Sequence, residues 1–179
     1  MTTLLHISDT PRAKVPYFDA LIRRVRPDIL IHTGDMVDDV KVGRLPARKE
    51  YLAGLSVILA VMERSGARET YICPGNNDLP DEIARRAPWA KVVTPDTLLT
   101  LEGVTVCLTH VPGSYTHPAR ITLYGHGYTA ETRRRRDNTP QRLYLNASLT
   151  AHVITLPQCT VKYIDQPELY RIREEVWKT

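Results

Sequence analysis

"LLHISDTPR" (Leu4–Arg12) is an apolar run that ends on a carboxylate, Asp9. A strand tip is where a metal-binding enzyme places such a group. Two residues on, where a second ligand would be useful, stands Pro11. The same form recurs downstream. "DILIHTGD" is a buried strand ending at Asp35, and "ETYICPGNND" is a strand followed by a turn that holds Asn76. Helical patterns separate these runs. "PYFDALIRRVRP" sets Phe18, Leu21, Ile22 and Val25 at helical spacing, and Pro27 ends it. "LPARKEYLAGLSVILAVMERSG" has Pro46 near its start and Gly66 after it, and "LPDEIARRAP" opens on acidic residues. This βαβαβα order predicts a parallel sheet with helices on its faces.

The second half changes character. "TLLTLEG", "VTVCLTH", "ARITLYGH", "RLYLNAS", "AHVITLP" and "CTVKYID" are short strand candidates separated by turn signals. "PELYRIREEVWK" then reads as a terminal helix or strand. The passage from α/β to mostly β has no linker, so the expectation is one domain over residues 1–179, with two sheets packed together and helices outside.

The chain has 179 residues, 42% of them hydrophobic and 25% charged, which suits a globular protein with a sizeable core. Its longest apolar candidate, "YLAGLSVILAVM", falls short of the roughly 18 residues of a membrane span. "MTTLLHISD" carries no basic segment or cleavage site of a signal peptide. Cys73, Cys107 and Cys159 have no metal-like spacing and read as free thiols, so a cytoplasmic location is expected. The net charge of +4 is partly concentrated in Arg133, Arg134, Arg135 and Arg136. Such a run is either a solvated loop or a contact for phosphate or nucleic acid.

The strand ends carry the chemistry. Five apolar runs finish on Asp9, Asp35, Asn76, His110 and His126. Outside the carboxyl ends of parallel strands, side chains far apart in sequence converge on one point. Asp, Asn and His as a set suit Mn²⁺, Fe²⁺, Zn²⁺, Co²⁺ or Ni²⁺ better than Ca²⁺. Gly34, Gly75 and Gly125 each stand immediately before the polar residue and permit close backbone approach. His6 and His32 lie three residues before their strand-tip Asp, an offset that turns them to the other face, and they read as core histidines. His152 reads the same way.

In order, these motifs read "DTP", "GD", "GNND", the His of "LTHVPG", and "GHGY". The set resembles the signature of the calcineurin-like metallophosphoesterases: D-x-H, G-D, G-N-H-[DE], H and G-H-x-H. The resemblance covers most of the chain and includes Asp38 in "GDMVDD" and "LNAS" (146–148 at its end), where compact bacterial phosphodiesterases often have N-P-G-S. It implies an α/β fold of two packed mixed β-sheets flanked by helices, a four-layer αββα sandwich.

The family binds two metals bridged by the Asp of G-D, which is Asp35 here. The resemblance assigns one metal to Asp35, Asn76, His110 and His126, all present. It assigns the other to Asp9, the His of D-x-H, Asp35 and the last His of G-H-x-H. Pro11 and Tyr128 occupy the two histidine positions. Proline has no donor, and tyrosine coordinates only as phenolate, against a pKa of about 10. Asn77 stands where the phosphate-contacting His of G-N-H would be, able to donate a hydrogen bond but not to deliver a proton. All three departures fall on one half of the site, so one ion is expected rather than two. Asp9 then serves as a distant ligand or orients a coordinated water.

His117, on the loop "VPGSYTHPAR", is the candidate replacement proton donor; otherwise it is a solvent-exposed loop histidine. The arginine run begins five residues after Tyr128, on a loop that in the family rims the active site. The expected function is a divergent metal-dependent phosphoesterase, hydrolysing a phosphomonoester or phosphodiester with a metal-activated water. Its substrate would be a phosphorylated small molecule or nucleotide-like compound, with nucleic acid and a protein partner left open and no membrane. The alternative is an inactive scaffold for protein–protein interaction on the same fold.

Overall fold

A computed structural model describes residues 1–40, 47–111, 118–126, 139 and 141–167. The chain begins with strand β1 (Thr2–Ile7), a 3-10 turn (Arg12–Lys14) and helix α1 (Val15–Val25). Strand β2 (Ile29–His32), helix α2 (Ala47–Glu63), strand β3 (Glu69–Ile72) and helix α3 (Pro80–Arg86) follow. The remaining strands are β4 (Lys91–Val92), β5 (Thr97–Leu101), β6 (Val104–Leu108), β7 (Ile121–Tyr124), β8 (Leu143–Asn146), β9 (Thr150–Leu156) and β10 (Thr160–Asp165).

The strands form two mixed sheets. One has six strands in the order β10-β9-β1-β2-β3-β4, and the other has four in the order β5-β6-β7-β8. In the first, β1 to β4 run parallel and β9 runs antiparallel to both its neighbours. In the second, β6, β7 and β8 run parallel and β5 opposes β6. Each sheet therefore has a parallel half whose strands end at one edge, and the candidate residues stand just past those ends.

Alternation along β1 and β2 makes two cores. Leu5, Ile7 and Leu30 face the helices and pack with Phe18, Leu21, Ile22, Tyr51, Leu55, Ile58 and Ile83. Leu4, Ile29 and Ile31 point the other way, against Val106, Leu108, Ile121, Leu123 and Leu145 of the four-stranded sheet. Strands buried on both faces read as continuous apolar runs, which is why "LLHI" and "ILIH" carry no polar alternation. Helix α1 buries Phe18, Leu21 and Ile22 and ends at Arg26, which is in the left-handed region and donates its N–H to Ile22 O.

Three of the four expected layers lie within the described residues, since α1, α2 and α3 all pack in the one core on the Leu5 and Ile7 face of the six-stranded sheet. The segment read as a terminal helix or strand lies, from residue 168 on, outside them. Strand β4 is an addition to the expected elements: two residues, Lys91 and Val92, are too few to leave a pattern in the sequence. Among the described residues no helix is long and apolar enough to cross a membrane.

Candidate metal centre

The first two loops are zipped together past their strands. Thr33 N donates to Ile7 O at 3.1 Å, Asp9 N to Gly34 O at 3.0 Å and Thr10 N to Asp35 O at 2.9 Å. The parallel ladder of β1 and β2 thus continues until both carboxylates have been delivered to the same edge. Asp9 and Asp35 are each 3% exposed. Both have left-handed backbones, at φ 50° and 51°, and so does His126 at φ 56°. Three such conformations at three strand ends cost energy that the surrounding packing must supply, a pattern typical of functional sites.

Gly34 is held at φ 97° with its Cα against the backbone of Gly75, where any Cβ would overlap. On the opposite sheet, a Cβ on Gly125 would overlap Ser8 Oγ and Asp9 Oδ2. These glycines let the loops of β1, β2, β3 and β7 meet around the carboxylates.

His110, 2% exposed, follows β6. Its Nδ1 lies 2.6 Å from Thr33 O, and since a carbonyl only accepts, Nδ1 carries the proton. That leaves a lone pair on Nε2, which is buried, has no hydrogen-bond partner and lies 3.4 Å from Asp35 Oδ1. Two electron-rich atoms then face one another in a buried place, an arrangement that a cation between them would satisfy. Ligand atoms of Asp9, Asp35 and His110 all lie within 4.8 Å of one another. The donor set and the orphaned Nε2 fit a divalent transition metal.

His126 is exposed, and its ring is 5.3 Å from that of His110, edge to face. Its backbone N–H donates to Asp9 Oδ2 at 3.2 Å, and its carbonyl accepts from Asn146 Nδ2 at 3.4 Å. Asn76 is exposed on the turn after β3. Burial pushes the Asp9 carboxyl up to about 6; the hydrogen bond from Ser8 pulls against this, and the charges of Asp38 and Asp35 add to it.

A sequence model of the calcineurin-like phosphoesterases matches residues 2–153. The chain belongs to that family. Its membership supports phosphoester chemistry in general. Solved structures share the fold at low identity. Yfce, a phosphoesterase from E. coli, is 17% identical, with a TM-score of 0.56 over 91% of this chain and 98% of that one. A Thermotoga maritima protein solved by NMR is 20% identical, with a TM-score of 0.53 over 94% of this chain and 100% of that one. Among curated proteins none matches.

Asn77, expected as a hydrogen-bond donor to phosphate, has partners within the chain. It is 8% exposed, and its Nδ2 donates to Val40 O at 2.7 Å with Val37 O at 3.5 Å. The side-chain amide is thus directed to the loop after Asp35. The Asn77 backbone N–H donates to Asp35 Oδ1 at 3.0 Å. Asp78 also has a use without an imidazole beside it. It accepts from Met36 N, Tyr51 Oη and Gly75 N at 2.9, 2.9 and 2.8 Å, clamping the Asp35 and Asn76 loops together. Burial pushes its carboxyl up to about 6, while the bonds from Gly75 and Met36 oppose that rise.

His6, His32 and His152 are core histidines, at 0%, 0% and 2% exposure. His117, Tyr128 and Arg133, Arg134, Arg135 and Arg136 lie outside the described residues. Two contributors had no signal in the sequence. The Thr33 carbonyl orients His110, and a backbone group leaves no trace in residue identity. Lys14 is 2% exposed, although it stands in a polar stretch that reads as surface.

Proposed function

We propose that this chain is a metal-dependent phosphoesterase that works with one divalent transition metal. Asp35, Asn76, His110 and His126 would hold the ion, with Asp9 beside them. The observation that carries this reading is the His110 Nε2 lone pair, buried without a partner and turned toward Asp35. When bound, the ion makes water nucleophilic near neutral pH and draws charge from a phosphoryl oxygen. The chain does the rest. Thr33 O fixes the His110 tautomer, the Asn77 N–H fixes Asp35, and the His126 N–H fixes Asp9. Ser8 contributes a buried hydroxyl beside Asp9, itself bonded to Gly34 O at 3.2 Å.

The Asn77 geometry sharpens the substrate question. With its amide turned to Val40, the loop after β3 supplies no side-chain proton from that position for a leaving group. An aryl or other good leaving group, which departs without protonation, is therefore the expected first substrate. The scaffold alternative calls for an exposed apolar patch. Among the described residues the large exposed apolar side chains after Met1 are Val57 on α2, Leu98 on β5, Val111 in the loop after β6 and Tyr163 on β10.

The test is hydrolysis of an aryl phosphomonoester and an aryl phosphodiester by metal-stripped protein resupplied with Mn²⁺, Fe²⁺, Co²⁺, Ni²⁺ or Zn²⁺. Metal-dependent turnover with one bound equivalent is expected. Absence of turnover with every ion at high protein concentration would overturn the reading.

A further inference from the structure

The half of the site that lost its histidine ligand gained something else. Pro11, extended at φ −67° and ψ 145°, opens the 3-10 turn, and Lys14 N donates to Pro11 O at 2.8 Å. The proline ring favours this φ. The residue that cannot coordinate a metal thus starts the turn that carries Lys14 inward. A lysine is almost never fully buried without a partner. Here Nζ donates to Gln166 Oε1 at 3.1 Å.

That contact belongs to a closed circuit. Gln166 Nε2 donates to Ala147 O at 2.8 Å, and the neighbouring Asn146 reaches the His126 carbonyl. The His126 N–H returns to Asp9, and Thr10 and Pro11 join Asp9 to the turn bearing Lys14. The ammonium is therefore anchored on the Asp9 side. One neutral amide is a modest partner for a buried positive charge. Burial lowers the Lys14 pKa, while the charges of Asp38 and Asp9 act in the opposite direction. Asp38 and Asp35 in turn raise that of Asp9. Asp9, which lies close to Asp35, thus feels the charge of one internal cation.

We propose that the Lys14 ammonium is a built-in cation of this site, supplying on the Asp9 side the positive charge that a second metal brings in two-metal relatives. The inference rests on the one-metal reading above. It explains why Asp9 and Asp35 remain close together although Pro11 offers no ligand. It also gives Gln166 a task, which is to hold the ammonium in place.

Charge and packing predict opposite signs, which makes the proposal testable. Removing a cation near an acidic metal site tightens binding of a divalent ion, whereas damage to the packing loosens it. Mn²⁺ is titrated by calorimetry into the full chain and into Lys14→Gln, with circular dichroism to check folding. Gln166→Glu, which neutralises the ammonium in place, is the second variant in case Lys14→Gln fails to fold. The expected result is one equivalent bound by the wild type and roughly tenfold tighter binding by either folded variant. Two equivalents in the wild type, or unchanged or weaker binding in the folded variants, would overturn the role of Lys14. If neither wild type nor variants bind Mn²⁺, the metal-centre reading fails and the inference falls with it.

Discussion

The histidines inside the sheets and the histidine at their edge use the same chemistry to different ends. His6 has both ring nitrogens partnered, Nδ1 with His152 Nδ1 at 3.1 Å and Nε2 with Thr33 Oγ1 at 2.9 Å. His32 is likewise complete. Its Nδ1 accepts from Gly34 N at 3.1 Å, so Nε2 carries the proton and donates to Thr10 Oγ1 at 2.6 Å. His110 is as deeply buried but only half satisfied, with Nδ1 bonded and Nε2 orphaned. A buried imidazole with two partners is a structural crosslink. One with a single fixed partner and a lone pair aimed at a carboxylate is prepared for a third party. Burial alone does not separate these roles; the count of partners does.

The largest effect that would break this contrast is at His110. Its replacement by Ala is expected to cost roughly hundredfold or more in metal affinity and in turnover, since even the partners that orient metal ligands cost 10 to about 100-fold. Metal titration and phosphatase assays check this, and a variant that binds metal as the wild type does would place His110 with the structural group. Gly125→Ala comes next. The added methyl would overlap Asp9 Oδ2 and Ser8 Oγ, pushing the carboxylate from its place. Metal affinity is expected to fall by about tenfold or more, with a smaller change in melting temperature.

For the complete histidines the effect should appear in stability and not in chemistry. His32→Ala strands the Gly34 N–H and the Thr10 hydroxyl in the interior, each costing about 1–3 kcal/mol. Denaturant unfolding should report the loss, while turnover per folded molecule at saturating metal stays within a few-fold of wild type.

The smallest and broadest effect is on pH. Burial lowers His32 and His152 from 6.5 to about 3, and burial also lowers His6. Because the folded pKa values are depressed, the unfolded chain takes up protons first. The contribution to stability is complete above the unfolded pKa of 6.5 and is lost progressively as the pH falls toward 3. Melting temperature should therefore drop on acidification below about pH 6.5, and His152→Phe should flatten that drop. An unchanged slope in a folded His152→Phe variant would remove His152 from the group.

Much of this was legible along the chain because strands and helices carry their own periodicity. The apolar runs that end at Asp9, Asp35 and His110 are strands with those residues just beyond them, and Phe18, Leu21 and Ile22 form the buried stripe of α1. The odd offset of His6 and His32 from the strand-tip carboxylates correctly marked them as interior. What periodicity could not carry was partner choice. Asn77 has the chemistry of a phosphate donor, and only the path of the loop from 37 to 40 turns its amide to Val40 O. Asp9, expected as a distant ligand or as a group that orients a coordinated water, is set in one group with Asp35 and His110 by the ladder between the first two loops.

The sequence by itself determined which donor types stand at the strand ends, which ligand is missing at Pro11, and the two-sheet fold that follows from the order of its runs. These are local properties, written in residue type and spacing. The tertiary structure alone decided which atoms are left without partners. The proton on His110 Nδ1 is set by the Thr33 carbonyl, just past a strand of the other sheet. The buried Lys14 ammonium is bonded to Gln166, 152 residues further along the chain. Hydrogen-bond satisfaction is a property of neighbours in space, so it is fixed only when the sheets have closed on one another.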